Sequence, residues 1–228
     1  MKTGWLVYLL LTISCAAGER VLHADDFSHG LARWAVEQAA GGRVSVEKSR
    51  LVIEDAEGCT VWFREKLRAP VTIRYRATVS SRSRVSDLNC FWMASDPAHP
   101  GTLIENATQR TGKFADYDRL ATYYVGYGGN ENTTTRFRRY DGTGAKPLRS
   151  EHDLRDQRFL LAGDHSYTIE ISVSADGRVR WARDGEVLFD FTDPQPLREG
   201  WFGFRTVHSR IEIADFQVTA PDAAPAGR

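Results

Sequence analysis

The segment YYVGYGGNENTTTRFRRYDG, residues 123–142, combines strand-forming residues with a very polar set of side chains. Side chains alternate across a strand, so residues at every second position share a face. One face is expected to carry four polar side chains: Thr134, Arg136, Arg138 and Tyr140. Two arginines about 7 Å apart on one face repel each other unless an anion lies over them. With nearby amides and phenols, they suit a sugar acid, which offers a carboxylate and hydroxyls.

Tyrosines in the preceding strand supply a group for proton transfer. Tyr127 precedes two glycines that leave space for a ligand. We therefore rank it ahead of Tyr124 as the catalytic phenol. A neighbouring arginine favours the charged form of a phenol and lowers its pKa from the usual value of about 10. Asn130, in the turn after the glycines, would bind a sugar hydroxyl.

Two further segments carry polar or aromatic side chains that a core strand would not. In SDLNCFWMASDP, alternation places Asp87 and Asn89 on one face. In GWFGFRTVHS, Trp201 and Arg205 share a face, and His208 follows the end of the strand. The predicted substrate-binding residues are Asn89, Asn130, Trp201, Arg205 and Asp87, and the predicted catalytic residues are Tyr127, Tyr124, Arg136, Arg138 and His208.

The arginines also allow an interpretation without a ligand. Arginine-rich hairpins are often solvated, and the segment SEHDLRD, residues 150–156, supplies carboxylates. If the arginines paired with Asp153 or Asp156, the hairpin would have only a structural role. The two interpretations differ in whether the arginines line a groove or point into solvent.

Acidic residues near the two ends of the chain could supply oxygen ligands for a structural calcium ion. Asp25, Asp26 and Asp215 fall in segments that we expect on adjacent terminal strands. Carboxylates are ligands that Ca²⁺ prefers. The alternative is that these acids are surface residues or caps. The proposed chemistry requires no cofactor.

Short alternating segments predict an all-β fold. The 228 residues suffice for one domain with a hydrophobic core, and 27–39 is at most one helical turn. Asp-Gly pairs at 176–177 and 184–185 indicate hairpins, because both turn residues must accept positive φ. We predict a two-sheet antiparallel jelly-roll sandwich over 19–219. Its principal strands are 51–55, 59–65, 70–80, 121–127, 133–140, 166–174, 200–207 and 210–218.

The charge balance limits the partners. The chain has 30 basic and 30 acidic side chains and a formal net charge of zero. A general binder of nucleic acid or of membrane surfaces needs a basic excess. We therefore expect neither of these partners.

The N-terminus has the features of an export signal. Lys2 precedes the apolar run WLVYLLLTI, and the small residues AAG follow at 16–18. The run is too short to span a bilayer, so we predict a cleaved signal peptide at 1–18 and a secreted or periplasmic protein. Lipidation at Cys15 is the alternative. The end of the chain, 220–228, is expected to be disordered.

Two cysteines remain after such a cleavage. Cys59 and Cys90 either form a disulfide in an oxidising compartment or stay as two buried thiols in neighbouring strands. The sequence leaves both alternatives open.

Three segments resemble the YesU-like family of bacterial proteins: RVSDLNCFWMASDP, GKFADYDRLATYYVGYGGNENTTTRFRRYDG and GWFGFRTV. The similarity extends from about Val21 to Val218. It implies a concanavalin A-like jelly roll and a secreted or periplasmic role in the breakdown of pectin or other acidic polysaccharides. It carries no catalytic assignment, so the site residues above rest on residue types alone.

Three functions fit a polar groove on such a fold. A β-elimination lyase needs a cation to neutralise the uronate carboxylate and a tyrosine or histidine to move protons, and the sequence supplies both. A glycoside hydrolase needs two carboxylates about 5–10 Å apart, and Glu65, Glu105 and Glu131 are isolated in the sequence. A lectin-like module would bind the glycan without cleaving it. We expect lyase-like β-elimination on a uronate-containing polysaccharide or oligosaccharide, with binding alone as the main alternative.

We predict that the mature chain begins at Glu19, because cleavage after Gly18 removes the apolar run that directs export. Intact-mass measurement of the protein exported by its native host checks this. A chain that begins at a diacylglycerol-modified Cys15 would contradict the prediction and support lipidation.

Overall fold

The computed structural model describes residues 18–222, except the side chain at position 108, as two antiparallel sheets of eight strands each. The strands are β1 (Glu19–Asp25), β2 (Trp34–Gln38), β3 (Arg43–Val46), β4 (Leu51–Glu54), β5 (Cys59–Phe63), β6 (Leu67–Arg68), β7 (Val71–Val79), β8 (Asn89–Ser95), β9 (Ala121–Gly128), β10 (Thr134–Asp141), β11 (Asp153–Leu154), β12 (Ser166–Val173), β13 (Arg178–Arg183), β14 (Glu186–Thr192), β15 (Glu199–Thr206) and β16 (Arg210–Pro221). Short 3-10 segments are Glu105–Gln109, Phe114–Tyr117, Ser150–His152 and Gln157–Phe159. A four-residue helical turn, Gly129–Asn132, joins β9 to β10.

The strand order confirms the predicted two-sheet antiparallel jelly-roll sandwich. Sheet A has the order β14-β13-β12-β7-β16-β4-β3, and β1 also pairs with β16. Sheet B has the order β11-β10-β9-β8-β15-β5-β2, and β6 also pairs with β15. The eight principal strands predicted from the sequence all occur, with ends that differ by at most three residues. Within residues 18–222, no helix has the length and apolar character that crossing a membrane requires.

Side-chain alternation builds the core between the two sheets. In β12, Tyr167, Ile169 and Ile171 point inward and are buried, whereas Thr168 and Glu170 are exposed. The inward faces of both sheets contribute to one apolar cluster. Because this cluster uses only one face of each sheet, the outer face of sheet B can bind other groups.

β2 and β3 are strands that the sequence pattern did not indicate. β2 lies within 27–39, where we expected at most one helical turn. Its first residue, Trp34, is buried, stacks on Phe204 with 5.2 Å between ring centroids, and donates its indole N–H to Asp25 at 2.8 Å. Pairing with β5 and burial of this tryptophan outweigh the weak local preference of a five-residue segment.

Cys59 and Cys90 are unpaired within residues 18–222. Cys59 on β5 and Cys90 on β8 both lie beside β15, which separates the two strands. Two strand spacings amount to about 10 Å, which is too far for a disulfide. The disulfide alternative is therefore wrong. Both cysteines are buried free thiols, as the other alternative stated, but their strands are not neighbours.

Two expectations concern the ends of the chain. β16 continues to Pro221, so the segment 220–228 begins with ordered strand residues rather than with a disordered tail. The remainder of that segment, 223–228, and the predicted signal peptide up to residue 17, with Cys15, lie outside the described residues.

A long connection between β8 and β9, residues 96–120, covers part of the outer face of sheet B; we call it the cover segment. Its apolar side chains, including Leu103 and Tyr117, pack against Trp62 and Trp201 in a second apolar cluster. Glu37 of β2 anchors the segment from below. Its carboxylate accepts hydrogen bonds from Arg110 at 2.6 Å and from the Tyr117 hydroxyl at 2.8 Å.

We predict that Glu37→Gln lowers the free energy of unfolding by about 3 kcal/mol, because it leaves the Arg110 charge buried without a compensating carboxylate. Glu47→Gln is the control, since Glu47 pairs with arginines at the surface, where an ion pair contributes about 1 kcal/mol or less. Urea unfolding of both variants tests this. Equal destabilisation by the two substitutions would contradict a buried anchor.

Candidate functional site

A cleft of about 240 Å³ opens on the outer face of sheet B beside the cover segment; we call it the outer-face cleft. Strands β8, β9 and β10 supply most of its lining. Six of the ten predicted site residues line it: Asp87, Asn89, Tyr124, Asn130, Arg136 and Arg138. The other four lie elsewhere: Tyr127, Trp201, Arg205 and His208.

Strand register brings the two arginines beside the tyrosine strand. In the pairing of β10 with β9, Arg138 lies opposite Tyr124 and Arg136 lies opposite Gly126. The glycine leaves room for the phenol, because a Cβ at Gly126 would lie 3.1 Å from the Tyr124 hydroxyl. The Tyr124 phenol therefore lies along β9, over Gly126.

Arg136 has the partner that the structural interpretation anticipated. It donates Nε–H to Asp153 at 2.7 Å and Nη2–H to the same carboxylate at 3.3 Å. Arg155 donates to this carboxylate as well, at 2.8 Å. The hydrogen bonds from Arg136 are the main cause that lowers the pKa of Asp153. Arg136 nevertheless lines the cleft with a side chain only 20% exposed, so it does not point into solvent.

Arg138 differs from its neighbour because it forms no ion pair with a carboxylate in the described part of the chain. It donates Nη1–H to the backbone carbonyl of Lys146 and, at 3.4 Å, to that of Pro147. Lys146 also lines the cleft, but its ammonium group pairs with Asp118 at 2.7 Å. Arg138 is thus the cation of the cleft that is available to an anionic ligand.

The two phenols of the cleft keep their protons at neutral pH. Burial raises the pKa of Tyr124 well above its usual value. Burial also raises the pKa of Tyr140 to about 12, although the Arg138 charge opposes this shift. We expected a nearby arginine to lower the phenol pKa; this was wrong, because loss of hydration outweighs the charge. Both hydroxyls are therefore hydrogen-bond donors and not bases.

Two polar atoms at the cleft lack a partner among residues 18–222. The Tyr140 hydroxyl and the Asn89 side-chain oxygen are buried and form no hydrogen bond. The Asn89 amide donates to Asp87 at 3.2 Å, which fixes the direction of its oxygen. Buried polar groups are nearly always hydrogen-bonded, so these two atoms suit a polar ligand.

Tyr127, the phenol that we ranked first, faces the core. It is fully buried, and its ring contacts Tyr167 and Trp181 with centroid distances of 5.2 and 5.4 Å. Its hydroxyl accepts a hydrogen bond from Arg183 at 3.0 Å. The neighbouring glycines do not open space around it, because alternation turns it inward. The geometry therefore favours Tyr124 over Tyr127.

Three other predicted residues are also outside the cleft. Trp201 lies under the cover segment, is 6% exposed and donates its indole N–H to the Arg64 carbonyl, so it offers no platform to a sugar. Arg205 is fully buried under the same segment. His208 is exposed and lines a separate depression with Asp55.

The three aspartates predicted as calcium ligands have other partners. β1 does pair with β16, with Asp25 opposite Phe216. Asp25 accepts from the Phe27 amide and from Trp34, Asp26 accepts from the Ser28 amide, and Asp215 pairs with Arg76. Across residues 18–222, no three acidic, histidine or cysteine side chains gather as a metal site would require. The placements fit caps and surface residues, and calcium stays a prediction from the sequence.

Sequence reasoning missed some of the lining. Tyr140 was placed on the correct face by alternation but was not assigned a role. Phe114 comes from the cover segment and Lys146 from the loop after β10. No periodic pattern marks such loop residues, so the sequence carried no signal for them.

Solved structures share this fold at low sequence identity. A protein of unknown function with a galectin-like fold from Bacillus subtilis has a TM-score of 0.68 and 16% identity, covering 90% of this chain and 98% of that one. A carbohydrate-binding module from Bacillus subtilis has a TM-score of 0.57 and 11% identity, covering 82% and 96%. The endo-β-1,3-glucanase from Pyrococcus furiosus has a TM-score of 0.61 and 11% identity, covering 91% and 97%.

Sequence comparison adds the family. No curated protein matches the chain significantly. The resemblance to the YesU-like family stays a prediction. Residues 53–216 match the model of the family described as Domain of unknown function (DUF6250), and the chain therefore belongs to that family.

Proposed function

We propose that the outer-face cleft binds a carboxylate-bearing sugar residue and that the protein is an exported binding domain for acidic polysaccharides or oligosaccharides. The observation that carries this proposal is Arg138, a half-buried cation that lines the cleft without a carboxylate partner among the described residues. A guanidinium group favours carboxylates because it presents several N–H donors in a planar fork.

The other polar groups of the cleft suit the hydroxyls of the same sugar. Tyr124 and Tyr140 are protonated donors, and the Asn89 oxygen is an acceptor without a donor. Asn130 adds an exposed amide at the rim. A sugar acid combines acceptors, donors and a negative charge, so it can satisfy these groups together. Phe114 supplies an apolar surface at one side.

Structural neighbours support a carbohydrate ligand without deciding the chemistry. A carbohydrate-binding module and a glucanase share the fold, and one fold can host both functions. Hydrolysis needs two carboxylates, and Asp87 is the one carboxylate that lines the cleft among the residues described. The composition of the cleft therefore favours binding over hydrolysis.

β-Elimination is a second candidate, which one observation favours: Arg138 and two phenols line the same cleft. An arginine neutralises a uronate carboxylate, and a protonated tyrosine can protonate the leaving oxygen. The raised pKa of both phenols opposes the other half of the reaction, because a base must take the C5 proton. Binding without turnover is therefore our first choice.

The predicted export fits this role, because an exported protein can encounter extracellular glycans. It rests on the predicted signal peptide at 1–18, of which residues 1–17 lie outside the described part of the chain.

We predict that the protein is retained by acidic glycans such as pectate, alginate or hyaluronan on an array and not by neutral glucans. Arg138→Gln should weaken this binding about tenfold or more, because it removes a charge-assisted hydrogen bond. Arg180→Gln is the control, since Arg180 lies on sheet A and pairs with Asp190 at the surface. Equal binding by the two variants, or retention by neutral glucans alone, would overturn the proposal.

We also predict that affinity for the retained glycan stays constant within about twofold from pH 6 to pH 9, because the raised pKa of Tyr124 and Tyr140 keeps both phenols protonated and the sugar carboxylate is already ionised. Titration calorimetry at several pH values measures this. Over the same range, absorbance at about 235 nm, where unsaturated uronates absorb, should stay flat. A rise that Tyr140→Phe abolishes would instead establish β-elimination.

A further inference from the structure

Arg205 is a buried cation without an ion pair. Its side chain is fully buried, and no carboxylate of the described chain pairs with it. Nη1 donates to the Thr60 hydroxyl at 3.0 Å and to the Gly112 carbonyl at 2.8 Å. Its Nε and Nη2 groups form no hydrogen bond with any group in the described part of the chain. A buried charge without a partner destabilises a fold strongly, so this arrangement calls for a compensating anion.

The two unpartnered N–H groups form one edge of the guanidinium. Arg136 uses the same pair of atoms, Nε and Nη2, to bind Asp153, and Arg178 uses them to bind Asp190. In this chain that edge therefore binds carboxylates in a forked arrangement. The backbone packs closely beside this edge, since a Cβ at Gly58 would lie 3.3 Å from Nη2 and would clash with the Gly112 carbonyl.

One acidic residue near Arg205 does not complete this edge. The Arg205 charge acts to lower the pKa of Asp55, but burial raises that pKa by more, and the two side chains form no ion pair. Asp55 accepts instead from the His208 amide at 3.1 Å, and its other oxygen has no partner. Asp55 thus interacts electrostatically with Arg205 but does not bind its Nε and Nη2 groups.

Arg205 adjoins the outer-face cleft. In the pairing of β15 with β8 it lies opposite Asn89, whose side-chain oxygen is unpartnered and lines the cleft region. The ring of Phe114 lies over the guanidinium, 5.0 Å from its carbon, and the same ring lines the cleft. The Tyr117 ring lies over the same guanidinium, at 4.9 Å, but does not line the cleft, so Phe114 is the ring that contacts both.

We propose that Arg205 and Asn89 form a second acidic-sugar subsite, which opens when the half-buried Phe114 side chain turns aside. This rests on the proposed function of the cleft. A sugar carboxylate accepts from Nε and Nη2 of Arg205. The Asn89 oxygen has two lone pairs and accepts from a hydroxyl of this residue and from one of the sugar residue at Arg138. Phe114 is partly exposed, and turning it aside separates its ring from those of Phe91 and Tyr124, whose centroids lie 6.5 and 5.5 Å away.

The spacing of the two subsites selects the ligand. Arg138 on β10 and Arg205 on β15 are separated by β9 and β8, so their strands lie about 14 Å apart across the sheet. A single sugar residue is too short to reach both guanidinium groups. The ligand is therefore an oligosaccharide with carboxylates on at least two residues.

Calorimetry with galacturonate, mannuronate and the trimer of each tests this subsite. We expect the wild type to bind one trimer at least tenfold more tightly than its monomer. Arg205→Lys keeps the charge but loses the fork, so it should reduce the trimer advantage to less than threefold and leave monomer affinity unchanged. A trimer advantage that persists in Arg205→Lys would overturn the subsite.

A second variant keeps the test valid if Arg205→Lys does not fold. Arg205→Met removes the buried, unpaired charge and should therefore be tolerated by the fold. It should likewise reduce the trimer advantage to less than threefold without changing monomer affinity. The binding experiment distinguishes failure of the subsite proposal from failure of the proposed function. Monomer binding with no trimer advantage refutes only the subsite, whereas no binding of any of the four probes by the wild type refutes both.

Discussion

Side-chain alternation in sheet B is the constraint on which both the core and the cleft depend. Residues of β9 alternate between its two faces. Tyr123, Val125 and Tyr127 fill the space between the sheets, and Tyr124 and Gly126 face outward. Slipping the register by one residue would exchange these sets and place glycine in the core. The apolar inward face therefore fixes which polar groups reach the surface.

The cover segment turns the outer face into a cleft. It seals one half of that face with apolar side chains and is held by the buried contacts of Glu37 with Arg110 and Tyr117. The other half stays open and polar. A flat polar sheet would leave arginines hydrated, whereas in the cleft Arg138 is half-buried and Tyr140 is buried. Hydrogen bonds to a ligand gain strength there.

The arginines of this region differ in the partners that their guanidinium groups contact. Arg136 has Asp153, so a ligand would have to compete with an existing carboxylate. Arg138 is held through backbone carbonyls, which position the guanidinium without neutralising it. Arg205 has aromatic rings over it and two free N–H groups. Residue type alone does not separate these cases.

Much of the fold and part of the site could be predicted from the sequence, because both follow a two-residue period. That period gave the strands and the shared face of Arg136, Arg138 and Tyr140. It did not give the contribution of Phe114, which depends on where a long connection docks. The error over Tyr127 came from weighing adjacent glycines above the face that alternation assigns.

A crystal structure of the protein with a bound acidic oligosaccharide tests the central claim most directly. We predict a sugar carboxylate about 3 Å from the Arg138 guanidinium, with Tyr124, Tyr140 or Asn89 bonded to hydroxyls of the same residue. A glycan bound in the depression beside His208 or on sheet A, with Arg138 still bonded only to backbone carbonyls, would contradict it.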